Sequence, residues 1–414
     1  MGWSVFFKRL QKLFTSRQGT SLLIMALRVF SMGTKFLLTL FLARYLGLAE
    51  LGQFGLITGV IMLTPLVVSM GLQNALSRDM VGIAAPQVTA KLKSYWQLML
   101  ALYIVLLLGV ALAGALLPQL AGLAGLVWAM TVTEHISQDI YTYLVSQQRQ
   151  LAANAMLFIK NAASPLAFMV AAYLWPQVRD IPTLLTFLIL GNLVPVIYFT
   201  RIALNWPWKT AHNPEKLTHS IWTARYLFVS DLSLALTQYA DRFLIVMFLG
   251  LEAAGIYIFF WQIGSAVFSL VGTSILQIYK PKLIHAHKQR NDTAYAQAMK
   301  SAALSSLSVV SIMAIGAGGA LTFVLPYVKP ELVAYPALMW IILAGTIIRT
   351  LSTLVGFNLY ARRKDKRYAA IVLVTSLGAC AATGLVLLTG GGLQAVALVN
   401  IGVLLTTLLL RLKS

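Results

Sequence analysis

The chain has 414 residues, of which 59% are apolar and only 11% are charged, and its mean hydropathy is +0.80. Soluble domains carry about 25% charged residues, so a water-soluble fold and a disordered chain are both excluded, and a single cysteine, Cys380, excludes a disulfide scaffold. The formal net charge of +20 has two candidate sources, nucleic-acid binding or the Lys/Arg bias of cytoplasmic loops in membrane proteins.

In chain order, residues 1–18 come first. Trp3, Phe6, Phe7, Leu10, Leu13 and Phe14 recur at helical spacing, with Lys8, Arg9 and Lys12 on the opposite face. That pattern predicts an amphipathic helix lying on an anionic membrane surface. Twelve apolar segments follow, at 20–43, 53–76, 94–117, 122–146, 155–175, 183–206, 223–249, 253–277, 299–326, 336–361, 368–389 and 391–411. Each is long enough to cross a bilayer, which takes about 20 residues. Pro65, Pro165 and Pro195 fall inside spans and predict kinks or local backbone opening. Residues 207–222 contain Pro207 and Pro214 among polar residues and read as a cytoplasmic linker. The linker divides an N-terminal six-helix lobe, 19–206, from a C-terminal six-helix lobe, 223–414. The expected fold is an all-α integral membrane protein, with two pseudo-symmetric lobes around a central polar cleft.

The positions of the basic residues decide the source of the charge. Of the 32 Lys and Arg residues, only Arg44, Arg179 and Lys329 fall in one set of connections, and five lie within spans. The other 24 occupy the alternate connections and the two ends. That bias places both termini in the cytoplasm and makes nucleic-acid binding unnecessary.

The two halves share a motif. Leu46-Gly47-Leu48 is followed by Gly52, and Leu249-Gly250-Leu251 by Gly255, at a constant offset of 203 residues. Each motif sits in the turn between the first two spans of its half. Equal span counts and matching loop character predict a parallel internal repeat.

Nine ionisable residues fall within spans: Arg28, Lys35, Lys160, Arg242, Arg349, Glu134, Asp139, Asp231 and Asp241. At ~3 kcal/mol each, nine facing lipid would cost on the order of 25 kcal/mol. They must pair, reach the membrane surface or line a hydrated cavity. Arg28, Lys35 and Thr39 share a helix face, as do Asp231, Gln238 and Arg242, and the 203-residue offset relates the two sets. Arg28, Lys35, Lys160, Arg242 and Arg349 are the candidate cationic contacts for an anionic substrate. Lys160 is expected to reach toward the interface, and Arg242 to pair with Asp241 or lie near the surface. Glu134, Asp139 and Asp231 are the candidate ion-coupling groups, and His135 is placed to satisfy Asp139 one turn away. No nucleotide-binding loop, metal-ligand spacing or catalytic constellation is visible, so neither an enzyme nor a cofactor is expected.

The stretch Phe41-Leu-Ala-Arg-Tyr-Leu-Gly-Leu-Ala-Glu-Leu-Gly-Gln-Phe-Gly-Leu resembles the first outer turn of the polysaccharide flippases of the multidrug/oligosaccharidyl-lipid/polysaccharide exporter superfamily. The segment from Ala240 to Tyr257 resembles the opening of their second half. The resemblance implies a transporter of the bacterial inner membrane. Such a protein moves an undecaprenyl-diphosphate-linked oligosaccharide, an O-antigen or similar lipopolysaccharide unit, to the outer leaflet. It also implies coupling to protons or sodium, and polymerase and chain-length proteins as partners. A multidrug or cation antiporter of the same superfamily is the alternative. A cation extruder calls for an acid-dominated cleft, whereas here the first span carries Arg28 and Lys35.

Overall fold

The computed structural model describes residues 17–73, 85–116, 118–208, 217–272, 277–289, 291–361 and 364–413, together with Leu76, Met80 and Ile275. The expected surface helix at 1–18 and the middle of the linker, 209–216, lie outside the described residues. Every regular element among those described is helical.

The long helices are α1 (Arg17–Tyr45), α2 (Leu48–Ser69), α3 (Ala85–Leu116), α4 (Pro118–Ser146), α5 (Gln150–Leu174) and α6 (Ile181–Ala203). They continue with α7 (217–249) and α8 (251–271), which are parts of one helical run, Leu217–Val271, broken at Gly250. The last four are α9 (Asp292–Val328), α10 (Pro336–Ala361), α11 (Asp365–Leu388) and α12 (Leu393–Leu412). A short connecting helix, Gln277–Lys288, precedes α9. Among the described residues, ten stretches are long and apolar enough to cross a membrane, and one of them, Phe228–Val271, takes in α8 and most of α7. Only α4 falls outside that set, because Glu134, His135, Gln138 and Asp139 lower its mean hydropathy. Its 29 residues still reach about 44 Å, enough to cross.

The outward faces are apolar. On α3, Leu100, Ile104, Val105, Leu108 and Leu112 form an exposed stripe, and on α9 Ile312 and Phe323 are more than two-thirds exposed. Water would not tolerate such surfaces, but lipid does. Hydroxyls within the helices are satisfied locally. Thr131 donates to the Val127 carbonyl at 2.7 Å, and Thr350 to the Thr346 carbonyl at 2.8 Å.

The prolines act unequally. Helices α2 and α6 run on through Pro65 and Pro195. In α5 a π-helical turn, Ile159–Ala163, comes immediately before Ser164-Pro165. The wider turn accommodates the missing proline N–H.

Packing divides the chain into two compact units. The first ends α1 at Leu38 and resumes over Val67–Ala224, and the second comprises Thr39–Leu66 and Arg225–Ser414. The α1–α2 tip, expected in the N-terminal lobe, therefore packs with α7–α12. The reason is a crossing built on the repeated motif. Gly47 and Gly250 both have positive φ, +119° and +87°, which frees the chain to turn sharply before α2 and α8. The two helices then meet backbone to backbone. A Cβ on Gly52 would overlap the Leu251 carbonyl, and one on Gly255 would overlap the Leu48 carbonyl. Farther along α2, Gly55 faces Ile258 and Gly59 faces Phe243. The two copies of the motif are thus related by a reciprocal contact as well as by their sequence offset.

Candidate functional site

The intramembrane charges form several groups in the first unit and gather mainly around one cavity in the second. In the first unit, the π-helical turn of α5 sets Lys160 toward α4. Its Nζ donates to Glu134 Oε1 at 2.6 Å, and the side chains are 6% and 14% exposed. Asn192 of α6 donates to Glu134 Oε2 at 3.1 Å. Close approach of α5 and α6 is permitted by Gly191, where a Cβ would come within 2.6 Å of the Ser164 side chain. The Ser164 hydroxyl donates to the Phe187 carbonyl. Lys160 therefore does not reach for the interface as expected, because a buried carboxylate one helix away captures its ammonium group.

Arg28, on α1, is also engaged within this unit. Its Nε donates to Asn154 Oδ1 at 2.8 Å, and its Nη2 to the Tyr141 hydroxyl at 3.3 Å. Lys35 lies two turns further along α1 with an exposed side chain, in the electrostatic field of Glu134 and Lys160. A third group surrounds Asp139. Gln73 and Trp96 donate to its two oxygens at 2.9 and 3.2 Å, and Tyr95 donates to Oδ1 at 3.4 Å. His135 is 3.8 Å from Asp139, and its ring nitrogens each lie 2.8 Å from a tyrosine hydroxyl, Tyr95 and Tyr103.

In the second unit a cavity of about 150 Å³ opens among α7, α8, α10, α11 and α12. Gln238, Asp241, Trp261, Arg349, Asn400 and Arg411 contribute its polar and aromatic lining. Asp241 and Arg242 are adjacent in sequence, yet the carboxylate does not take the guanidinium. Asp241 Oδ1 accepts from the Arg242 backbone N–H at 2.8 Å, and Oδ2 accepts from the Tyr257 hydroxyl at 2.6 Å and from Asn400 at 3.2 Å. The Arg242 side chain is 1% exposed and lies over the Trp261 ring at 4.2 Å and the Tyr239 ring at 4.8 Å. Its Nε and Nη2 have no hydrogen-bond partner among the described residues. Both expectations for Arg242, an ion pair or a surface position, are thus corrected, since the residue is buried on an aromatic platform.

Arg349 shares that platform. Its guanidinium is 4.3 Å from the Phe268 ring and 5.9 Å from the Trp261 ring, and no carboxylate among the described residues lies within ion-pair distance of it. Two guanidinium groups are thus held on aromatic faces, and two donor nitrogens of one of them, Arg242, are unmatched among the described residues. Asp231 is half-buried on α7 and is not part of the cavity lining.

Several contributors escaped the sequence reading. Asn400 and Trp261 were not singled out from the sequence, and Tyr257 only as part of the family-like segment. Arg411 had been counted with the C-terminal charges. It is instead buried, donating to the Ser352 carbonyl at 2.6 Å and to its hydroxyl at 3.1 Å, over the Tyr368 ring.

The long helices and buried charge clusters among the described residues define a multi-pass membrane protein with the fold of transporters of the MOP superfamily. The lipid II flippase MurJ, in an inward closed conformation, superposes with a TM-score of 0.68 at 12% identity, covering 95% of this chain and 87% of that one. An inward-facing multidrug resistance MATE family transporter gives 0.65 at 11% identity, with 94% and 92% covered. A MOP superfamily transporter from Pyrococcus furiosus, described as having a binding pocket of reversed polarity, gives 0.56 at 10% identity, with 98% and 95% covered. No curated protein matches the chain in sequence. The chain belongs to the polysaccharide biosynthesis protein family, whose model matches residues 16–279.

Proposed function

We propose that the protein translocates an undecaprenyl-diphosphate-linked oligosaccharide, an O-antigen or similar surface-polysaccharide unit, across the bacterial inner membrane. The movement runs from the cytoplasmic to the outer leaflet by alternating access, with both termini in the cytoplasm. Family membership supports a role in polysaccharide assembly, and the fold supports transport. The observation that carries the substrate class is the Arg242–Trp261–Arg349 arrangement beside the cavity of the second unit. A buried guanidinium with unmatched donors is costly unless an anion completes it. A diphosphate supplies the charge and acceptor oxygens, and sugar rings stack on aromatic faces. Lys35 adds an exposed cation in the first unit. Lys160 and Arg28, both engaged by neighbouring side chains, then act as supports for that unit.

An antiporter for cationic compounds would draw on Asp241 in the same cavity. Asp241 already accepts from Tyr257, Asn400 and the Arg242 backbone, while two donor nitrogens of the Arg242 guanidinium are unmatched among the described residues, which favours the anionic substrate. Polymerase and chain-length proteins would then receive the product. A deletion strain tests the reading. Lipid-linked glycan held on the cytoplasmic leaflet, and released by the restored gene, is the expected result. Normal surface glycan with heightened sensitivity to cationic drugs would favour the antiporter.

A further inference from the structure

The first unit contains a buried cluster that the anion site does not use. Asp139 is 5% exposed, and the groups that donate to its oxygens, Gln73, Trp96 and Tyr95, are all neutral. Among the described residues no lysine or arginine is paired with it. The charged groups on neighbouring elements are engaged elsewhere. Glu134, on α4 itself, is matched by Lys160 of α5, and Arg28 of α1 is held by Asn154 and Tyr141. Lys93 of α3 donates to the Trp208 carbonyl at 2.6 Å, and Arg201 of α6 is exposed. The titratable groups that do face Asp139 are His135 on its own helix and Tyr95 on α3, with Tyr103 beyond them.

These four side chains form a continuous hydrogen-bonded line. Tyr95 bridges Asp139 Oδ1 and His135 Nε2, and His135 Nδ1 meets the Tyr103 hydroxyl. Tyr95 and Tyr103 are eight residues apart on α3, so the line covers about 12 Å along the helix. Around it lie Leu72, Met99, Trp128 and Val132, which keep the surroundings apolar.

We propose that Asp139, Tyr95, His135 and Tyr103 form a proton-binding relay with Asp139 as the loading site. A proton passed on by Tyr103 arrives at His135 Nδ1, and the Nε2 proton moves to the Tyr95 oxygen. The original Tyr95 proton forms the new O–H bond at Asp139 Oδ1. His135 ends as its other neutral tautomer, and one proton has been taken up in all. The loaded site is uncharged, as its apolar surroundings demand. Three neutral donors make the unloaded carboxylate tolerable as well. Both states are therefore accessible, which a site that loads and unloads requires. The inference rests on the transport reading only for the use made of the proton.

The test is infrared difference spectroscopy on the protein in phospholipid vesicles with carboxyl-labelled aspartate, titrated across the physiological pH range without any glycan. A carbonyl band from a protonated, buried carboxylic acid is expected in the wild type and absent in Asp139→Asn. Tyr95→Phe removes the bridge while keeping the ring, and is expected to shift the pH at which the band titrates. Absence of the band in the wild type, or its persistence unchanged in Asp139→Asn, overturns the proposal. So does an unshifted titration in Tyr95→Phe. If the band behaves as expected in a protein that moves no glycan, the relay stands and the transport reading falls.

Discussion

Replacing Lys160 with methionine separates two roles that its position in the membrane leaves open. The ammonium group lies 2.6 Å from Glu134 Oε1, with both side chains largely buried. Methionine keeps most of the volume but removes the charge, leaving a carboxylate whose remaining donor among the described residues is Asn192. Breaking a buried ion pair from one side costs about 3–5 kcal/mol. A second change, Glu134→Gln, removes the stranded charge, so the double variant should recover most of that loss. The assay is reversible unfolding in mixed micelles, run as a double-mutant cycle with glycan transport measured alongside. The coupling should be at least about 2 kcal/mol and favourable. A loss under about 1 kcal/mol in Lys160→Met, combined with failed transport, would refute the structural role and make Lys160 a substrate contact.

Three other outcomes follow from the same geometry. Arg349→Gln should weaken binding of a diphosphate-bearing lipid by about 10- to 100-fold, the equivalent of one charge-assisted contact, with unfolding unchanged. Isothermal titration in nanodiscs measures that loss. Gly52→Ala and Gly255→Ala each drive a methyl group into a facing backbone carbonyl and should cost about 1–3 kcal/mol, while Gly316→Ala, which meets open space, should cost nothing in the same unfolding assay. Arg411→Met should destabilise by about 1.5–3 kcal/mol in that assay, because two hydrogen bonds to Ser352 are lost.

The architecture was largely legible because the bilayer makes span length a strong signal. The repeat was visible in two glycine motifs, and the structure explains both. Gly47 and Gly250 allow the turns, while Gly52 and Gly255 let the two copies touch. That contact also explains why residues 39–66 pack with the second unit, which a reading of loops and linkers could not anticipate. The charged residues were legible as a set but not as partners. Helical spacing relates residues on one helix, whereas Glu134 finds Lys160 across a π-helical turn, and Asp241 finds Asn400 from a helix 159 residues away. The proximity of Asp241 and Arg242 in sequence was misleading, because consecutive helical residues point about 100° apart.

The proposed cargo is a lipid-linked anionic glycan. Purified protein in vesicles containing fluorescent undecaprenyl-diphosphate-linked glycan tests it directly, with an impermeant quencher reporting the labelled headgroups on the outer surface. Rapid exchange of the glycan lipid between leaflets is expected with wild-type protein, and slow exchange with a correctly folded Lys35→Gln/Arg349→Gln variant. Exchange no faster than in protein-free vesicles, or equal rates for wild type and variant, would contradict it.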